Sequence, residues 1–191
     1  MQRSSERIFD EYLVSAALVG DALAWRRLVV RWQPRLLSHA WRVVGDAERA
    51  RDMVQEAWID IVRGLARLDD PAAFPAWAFQ IVTRRCQRLF RGGARDRRLA
   101  EALEPESESE SASAASDDPE ITADIHQVLA ALQSLPAPQR SALALFYLES
   151  LSVAEIAVAL DVPPGTVKTR LMHARRKLRA LLEGVGNEQV G

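Results

Sequence analysis

LSVAEIAVALDVPPGTVKTRLMHARRKLRALL, residues Leu151 to Leu182, reads as two helices joined by a tight turn. Ser152 followed three residues later by Glu155 forms the pattern in which a hydroxyl and a carboxylate satisfy each other's orphan backbone donors, so a helix starts here. Ile156, Ala157 and Leu160 give it an apolar stripe. The run Asp161-Val-Pro-Pro-Gly165 ends it, because proline lacks a donor and pushes its predecessor out of the α region. In the helix that follows, Val167, Leu171, Ala174, Leu178 and the Leu181-Leu182 pair fall on one side. The other side carries Lys168, Thr169, Met172, His173 and Arg176. Between Lys168 and Arg179 there are six basic residues and no acid. A short helix, a tight turn, and a second helix apolar inside and basic outside is the pattern of a helix-turn-helix with a recognition helix for the DNA major groove. A merely solvated charged face would be expected to interleave acids with its bases, and this one does not.

Charge is distributed unevenly. The chain has 191 residues and a net charge of −1, which evenly spread would argue against a nucleic-acid partner. From Arg84 to Arg98, however, there are seven arginines against one acid, and from Glu101 to Glu120 eight acids and no base. Two basic surfaces are thus separated by an acidic run. With 48% hydrophobic and 27% charged residues, the composition is that of an ordinary globular protein. Cys86 is the only cysteine, which excludes an internal disulfide and any cysteine-rich zinc site. His39, His126 and His173 lack ligand spacing, so no metal is expected. There is no apolar run of membrane-spanning length and no signal-peptide core in MQRSSERIFDEYL, so no membrane association and a cytoplasmic location are expected.

Working outward from the quoted stretch, the rest of the chain is also read as helical. Residues 5 to 19 form a first helix with Ile8, Phe9, Tyr12 and Leu13 at helical spacing, and Asp21 caps a second carrying Leu23, Trp25, Leu28, Val29 and Trp32. Pro34 predicts a kink or break in it. Asp46 caps a third helix, Ala47 to Leu68, with Ala50, Val54, Trp58, Ile61 and Leu65 inward. Its opposite face shows Asp52, Gln55, Glu56 and Arg63 around Ile59, and reads equally well as a solvated face or as a docking face with an apolar centre. The helix Phe74 to Arg91 turns Ala78, Val82, Cys86 and Leu89 inward. Its reverse side holds Trp77, Gln80, Ile81, Arg84, Gln87, Arg88 and Arg91. Guanidiniums can track phosphates while a ring takes an unstacked base, so this face suits single-stranded nucleic acid. Trp77 reads equally as a core residue. From Gly92 to Pro119 the chain is polar and acidic and reads as a flexible linker. Helices then resume with Ile121 to Leu135 and Gln139 to Leu148, and residues 184 to 191 read as a frayed tail.

DAERARDMVQEAWIDIVRGL, then FPAWAFQIVTRRCQRLFR, an acidic linker, and the segment from Leu135 to Leu178, in this order and spacing, resemble an extracytoplasmic-function sigma factor of bacterial RNA polymerase. The resemblance covers roughly residues 8 to 92 and 121 to 182. It implies an all-α protein of two small helical domains: residues 5–92 for polymerase docking and minus-ten recognition and melting, a linker at 93–119, and residues 120–183 for minus-35 recognition. Asp52, Gln55 and Glu56 match a D-x-x-Q-E core whose helix docks on the polymerase clamp helices, which favours docking for that face, Ile59 included. Trp77, Gln80, Arg84, Gln87, Arg88 and Arg91 fall on the element that reads and melts the minus-ten region, and the loop from Leu68 to Ala73 matches the part that receives a flipped base. Thr166, Lys168, Thr169, Arg170, Met172, His173 and Arg176 fall on the stretch that reads the minus-35 element. Arg84 stands where such proteins often carry asparagine, and His173 where a basic residue is frequent. The implied partners are core RNA polymerase, through its clamp helices and flap, and promoter DNA, double-stranded upstream and single-stranded where melted; the resemblance leaves room for an anti-sigma protein. Two other readings fit less well. A stand-alone transcription factor would have no use for the Asp52-Gln55-Glu56 face. An enzyme would need a nucleophile and base, a metal cluster or a carboxylate cleft, and no catalytic residue, cofactor site or phosphate-cradling loop is read.

Overall fold

A computed structural model describes residues 5–100 and 131–186, with side chains described for 5–90 and 131–180. The described elements are helices α1 (Ser5–Leu18), α2 (Ala22–Val44), α3 (Ala47–Gly64), α4 (Phe74–Ala100), α5 (Ala137–Tyr147), α6 (Val153–Leu160) and α7 (Pro164–Gly186), with single 3-10 turns at Leu65–Arg67 and Pro71–Ala73 and no strand among the described residues. The acidic run from Glu101 to Glu120 and most of the helix expected from Ile121 lie outside the described residues; only 131–133, at the end of that helix, are seen as helical.

The helix starts are set by side-chain caps. Asp21 accepts from the Leu23 and Ala24 amides at 2.8 and 3.1 Å, and Asp46 from the Arg49 amide at 2.8 Å. Each satisfies donors that the first helical turn leaves orphaned. Gly45 closes α2 in the left-handed conformation at φ 76°, with its amide donating to the Trp41 carbonyl. Of the kink or break expected at Pro34, the break does not occur: α2 runs continuously through it. Pro34 and Val30, whose carbonyl loses its helical partner, are both exposed, so water can take that hydrogen bond.

Helices α1 to α4 pack around Trp32, which is fully buried. Its ring meets Phe74 edge-on at 5.1 Å and Phe79 at 5.6 Å. Its Nε1 donates to Asp10 Oδ1 at 3.1 Å, while the Arg35 guanidinium lies 3.9 Å above the ring. Of the apolar residues expected to bury in α1, only Leu13 does; Ile8, Phe9 and Tyr12 are 56, 42 and 59% exposed, and Asp10 takes the inward position. Leu23 is likewise exposed, and Ala24 is buried in its stead. In α3 the expected inward set holds, with Trp58 half-buried and donating to Gln33 at 2.5 Å.

Two helix ends differ from the sequence reading. α3 tightens into a 3-10 turn after Gly64 instead of continuing as an α-helix to Leu68. α4 continues past Gly92 to Ala100, because the Gly-Gly step costs only about 2 kcal/mol of helix propensity and is followed by arginines, leucine and alanine rather than a proline stop.

Helices α5 to α7 form the second body, with Leu145, Ile156, Ala159, Val167 and Ala174 buried. The two bodies are not held apart. α6 packs along α4, and α5 touches α2. One continuous apolar cluster runs through both.

Candidate nucleic-acid interface

The helix-turn-helix is built as its sequence suggests. Ser152 accepts from the Glu155 amide at 3.3 Å, and Glu155 accepts from the Ser152 amide at 2.7 Å. Burial raises the Glu155 pKa, but the Ser152 hydrogen bonds and the Arg7 guanidinium outweigh it and hold the carboxyl below its usual range. Asp161 ends α6 in the left-handed conformation at φ 55°, which aspartate tolerates better than most residues. Its amide donates to Val158, and Val162 donates back to Ala157, so the turn is tied before Pro164 opens α7. Val167, Leu171 and Ala174 enter the core. Lys168, Thr169, Met172 and Arg176 are exposed on the opposite side, and Thr166 and His173 are half-buried beside them. Thr169 donates to the Gly165 carbonyl at 3.0 Å, so it can offer a ligand its methyl group and an accepting hydroxyl oxygen. Arg175 leaves the basic face: it lies over Phe146 at 5.1 Å and donates to the Tyr147 hydroxyl at 3.1 Å. Lys177 donates to the Ser134 carbonyl at 2.7 Å. Both tie α7 to the rest of the second body.

On α4, Ala78, Val82 and Cys86 are buried as expected, and burial pushes the Cys86 thiol up to about 12, so it is inert. Trp77 is half-buried. It packs 6.1 Å from Phe74 and lies so close to Gly64 that a Cβ there would come within 2.9 Å of its ring. Its two readings therefore both have support, since one side of the ring is packed. Gln80, Arg84, Gln87 and Arg88 lie along the reverse face, with Arg84 and Arg88 exposed. The side chain of Arg91 lies outside the described residues. Arg85 turns the other way and binds α3, donating to Asp60 at 2.7 Å and to Glu56 at 2.7 Å.

Asp52, Gln55, Glu56 and Ile59 form one exposed surface on α3, with Ile59 half exposed. Arg85 fixes the position of the Glu56 carboxylate in it.

Sequence reasoning missed one feature. The α4 reverse face is partly covered: Asp161 sits against it, with Arg84 Nη2 at 3.2 Å and Gln80 Nε2 at 3.4 Å from its Oδ1, while Arg84 and Arg88 keep exposed surface. Further along the seam Arg170 is half-buried, and desolvation lowers its pKa. It lines a cavity of about 330 Å³ with Gln87, Phe90, Thr83, Ser141 and Val162. In sequence Asp161 shows only as a helix stop, and no local signal pairs it with a residue 77 positions away.

Among the described residues no helix is long and apolar enough to cross a membrane. Residues 28–96 match the family described as Sigma-70 region 2, and residues 125–178 match Sigma-70, region 4. The RNA polymerase sigma-H factor of Pseudomonas aeruginosa is 33% identical over 184 residues, covering 91% of this chain and 94% of that protein. The ECF RNA polymerase sigma-E factor of Escherichia coli K12 is 32% identical over 181 residues, covering 91% and 94%. Among solved structures, the sigma factor RpoE of Bartonella quintana, in complex with the anti-sigma factor NepR, has a similar fold, with a TM-score of 0.66 at 22% identity over 83% of this chain and 96% of that one. CnrH, in complex with the cytosolic domain of CnrY, superposes with a TM-score of 0.60 at 25% identity over 92% and 98%.

Proposed function

The chain belongs to the sigma-70 family, in its extracytoplasmic-function branch, and from that premise we propose how its surfaces divide the work of transcription initiation. It is an RNA polymerase sigma factor, not an enzyme: it binds core polymerase and directs it to promoters. Residues 5–92 form the body that docks on polymerase and reads and melts the minus-ten region. Residues 93–119 link it to residues 120–183, which read the minus-35 element.

Within this reading, Asp52, Gln55, Glu56 and Ile59 meet the polymerase clamp helices. The exposed surface on α3, an apolar side chain rimmed by carboxylates and an amide, supports that role. The second body meets the polymerase flap. Lys168, Thr169, Arg170, Met172, His173 and Arg176 enter the major groove, with Thr166 at the N-terminal turn of α7 near the backbone phosphates. Trp77, Gln80, Arg84, Gln87, Arg88 and Arg91 take the non-template strand, the guanidiniums meeting phosphate and the indole stacking on a base. The loop from Leu68 to Ala73 receives a flipped base. Working with polymerase places the protein in the cytoplasm. Since one similar structure holds a sigma factor in complex with an anti-sigma factor, an anti-sigma protein is a fitting partner here as well.

One observation carries the division of labour: α7 exposes an acid-free basic face on a capped helix-turn-helix, while α4 presents a separate arginine face on the other body. Run-off transcription with core polymerase tests it. Arg88→Ala is expected to reduce strand opening, read by permanganate reactivity of unpaired thymines, with upstream protection retained. Arg176→Ala is expected to reduce upstream protection, with opening rescued on a pre-melted template. Equal effects of both substitutions on duplex affinity alone would refute the assignment.

A further inference from the structure

We propose that the cavity between α4, α5 and α7 is a binding site for a small organic acid, a carboxylate on a compact apolar body, held by the Arg170 guanidinium and the Ser141 hydroxyl.

The polar side of the cavity presents two groups that the protein itself does not satisfy. Arg170 makes no hydrogen bond or ion pair among the described residues, and burial lowers its pKa with no carboxylate among those residues near enough to raise it back. Its guanidinium has given up part of its water without gaining an acceptor, an arrangement that favours a bound anion. Ser141 of α5 is 2% exposed, and its Oγ has no hydrogen-bond partner. Thr83 is already engaged with His39 at 2.9 Å, which leaves the Gln87 amide as the third polar group of the lining. The remaining walls are apolar, with Val43, Pro138, Leu160 and Val162 around the interior. Phe90 is 48% exposed, so the cavity opens to solvent on that side.

These donors decide the class of ligand. One guanidinium and one hydroxyl, beside a neutral amide, match a single negative charge, and the planar guanidinium fits a carboxylate through two parallel N–H···O bonds. A phosphomonoester, near two charges, would bring more charge than the cavity neutralises. Water could satisfy Ser141 but could not supply the counter-charge that Arg170 lacks. At about 330 Å³ the cavity lies at the lower end of the roughly 300–1,000 Å³ range of small-molecule pockets, which favour the junction of two packed units.

The site stands on its own geometry, whereas its consequence rests on the assignment of Arg170 to the groove-reading stretch. A bound carboxylate holds that guanidinium, so it weakens duplex binding, and by linkage the duplex weakens carboxylate binding by the same factor.

Methyl NMR titrations of the full chain test the site with benzoate, 4-phenylbutyrate and octanoate, each set against its uncharged primary amide. Saturable shifts are expected at the Val43, Leu160 and Val162 methyls with at least one acid, and binding of the matching amide should be about tenfold weaker or worse. Arg170→Gln and Ser141→Ala should each weaken the acid by a similar factor. Ser141→Ala should do so without lowering the melting temperature, since it removes a hydroxyl that has no partner in the free protein. Arg26→Gln removes the same charge from an exposed position on α2 and should leave acid binding unchanged. No saturable shift with any of the acids, equal binding of acid and amide, or undiminished binding by Arg170→Gln would overturn the site. Duplex affinity without polymerase, measured with the cavity saturated, should fall; an unchanged affinity would overturn the consequence and leave the site. Failure of the Arg88 and Arg176 predictions would strike the face assignments and leave the titration intact.

Discussion

Asp10 is the residue on which the first body turns. It is 4% exposed and accepts from Trp32 Nε1 and, at 2.6 Å, from Arg31 Nε, with Arg35 at 3.4 Å. Removing the carboxylate leaves the buried indole N–H without its acceptor, while Arg31 keeps Glu6 and Arg35 keeps Glu149, so the expected cost is that of a buried donor left unsatisfied, about 1–3 kcal/mol. Asp10→Ala is therefore expected to lower the urea midpoint markedly without changing the slope of the transition. His39 sets a pH limit. It is fully buried against Thr83 Oγ1 at 2.9 Å, and desolvation, with Arg42 adding repulsion, lowers its pKa from 6.5 to about 3. The folded state thus binds fewer protons than the unfolded state between those values, so its stability is fully present above pH 6.5 and falls as the pH drops toward 3. The slope approaches about 1.4 kcal/mol per pH unit. His39→Gln should flatten that slope in denaturant titrations between pH 6.5 and 4.5; an unchanged slope would mean another group controls acid lability.

Among elements, α6 shows local sequence and tertiary packing in agreement. It has eight residues, too few to be stable alone, and it holds because its capping box, its αL terminus and Ile156, Ala159 and Leu160 in the core act together. Ser152→Ala should cost about 1 kcal/mol in thermal melts and weaken duplex binding by the second body in proportion. An effect on binding with no loss of stability would show that Ser152 touches DNA instead. α4 shows the opposite relation. Its buried stripe was legible because Ala78, Val82 and Cys86 repeat at helical spacing, but the same periodicity says nothing about what lies on its reverse face. α1 misled for a related reason: Phe9 and Tyr12 have core-like side chains, yet the stripe that enters the core is Asp10, Leu13 and Val14. A charged residue was needed there to satisfy Trp32, which is a tertiary demand.

At the scale of the whole molecule, the proposed assignment puts two weak DNA sites on one chain, where binding at one raises the effective concentration at the other. The eight acids between Glu101 and Glu120 contribute a long-range term, since phosphate contacts supply nearly all non-specific affinity. Replacing them with glutamine and asparagine is expected to strengthen polymerase-free binding of a mixed-sequence duplex, measured by anisotropy, and the gain should shrink as salt rises. No change in affinity would remove the acidic run from the account of selectivity.

The sequence alone determined the helices of the described residues, the capped helix-turn-helix, the basic face of α7 and the exposed polar face of α3 around Ile59, without deciding whether that face is solvated or docks a partner. Each follows from local periodicity, capping chemistry or a charge count, and none depends on a distant residue. Only the tertiary structure decided that Pro34 leaves α2 whole, that Asp10 rather than Phe9 turns inward, and that Asp161 meets Arg84. The reason is that burial and pairing are settled by what the rest of the chain brings alongside, and residues 77 positions apart carry no mark of one another until the helices pack.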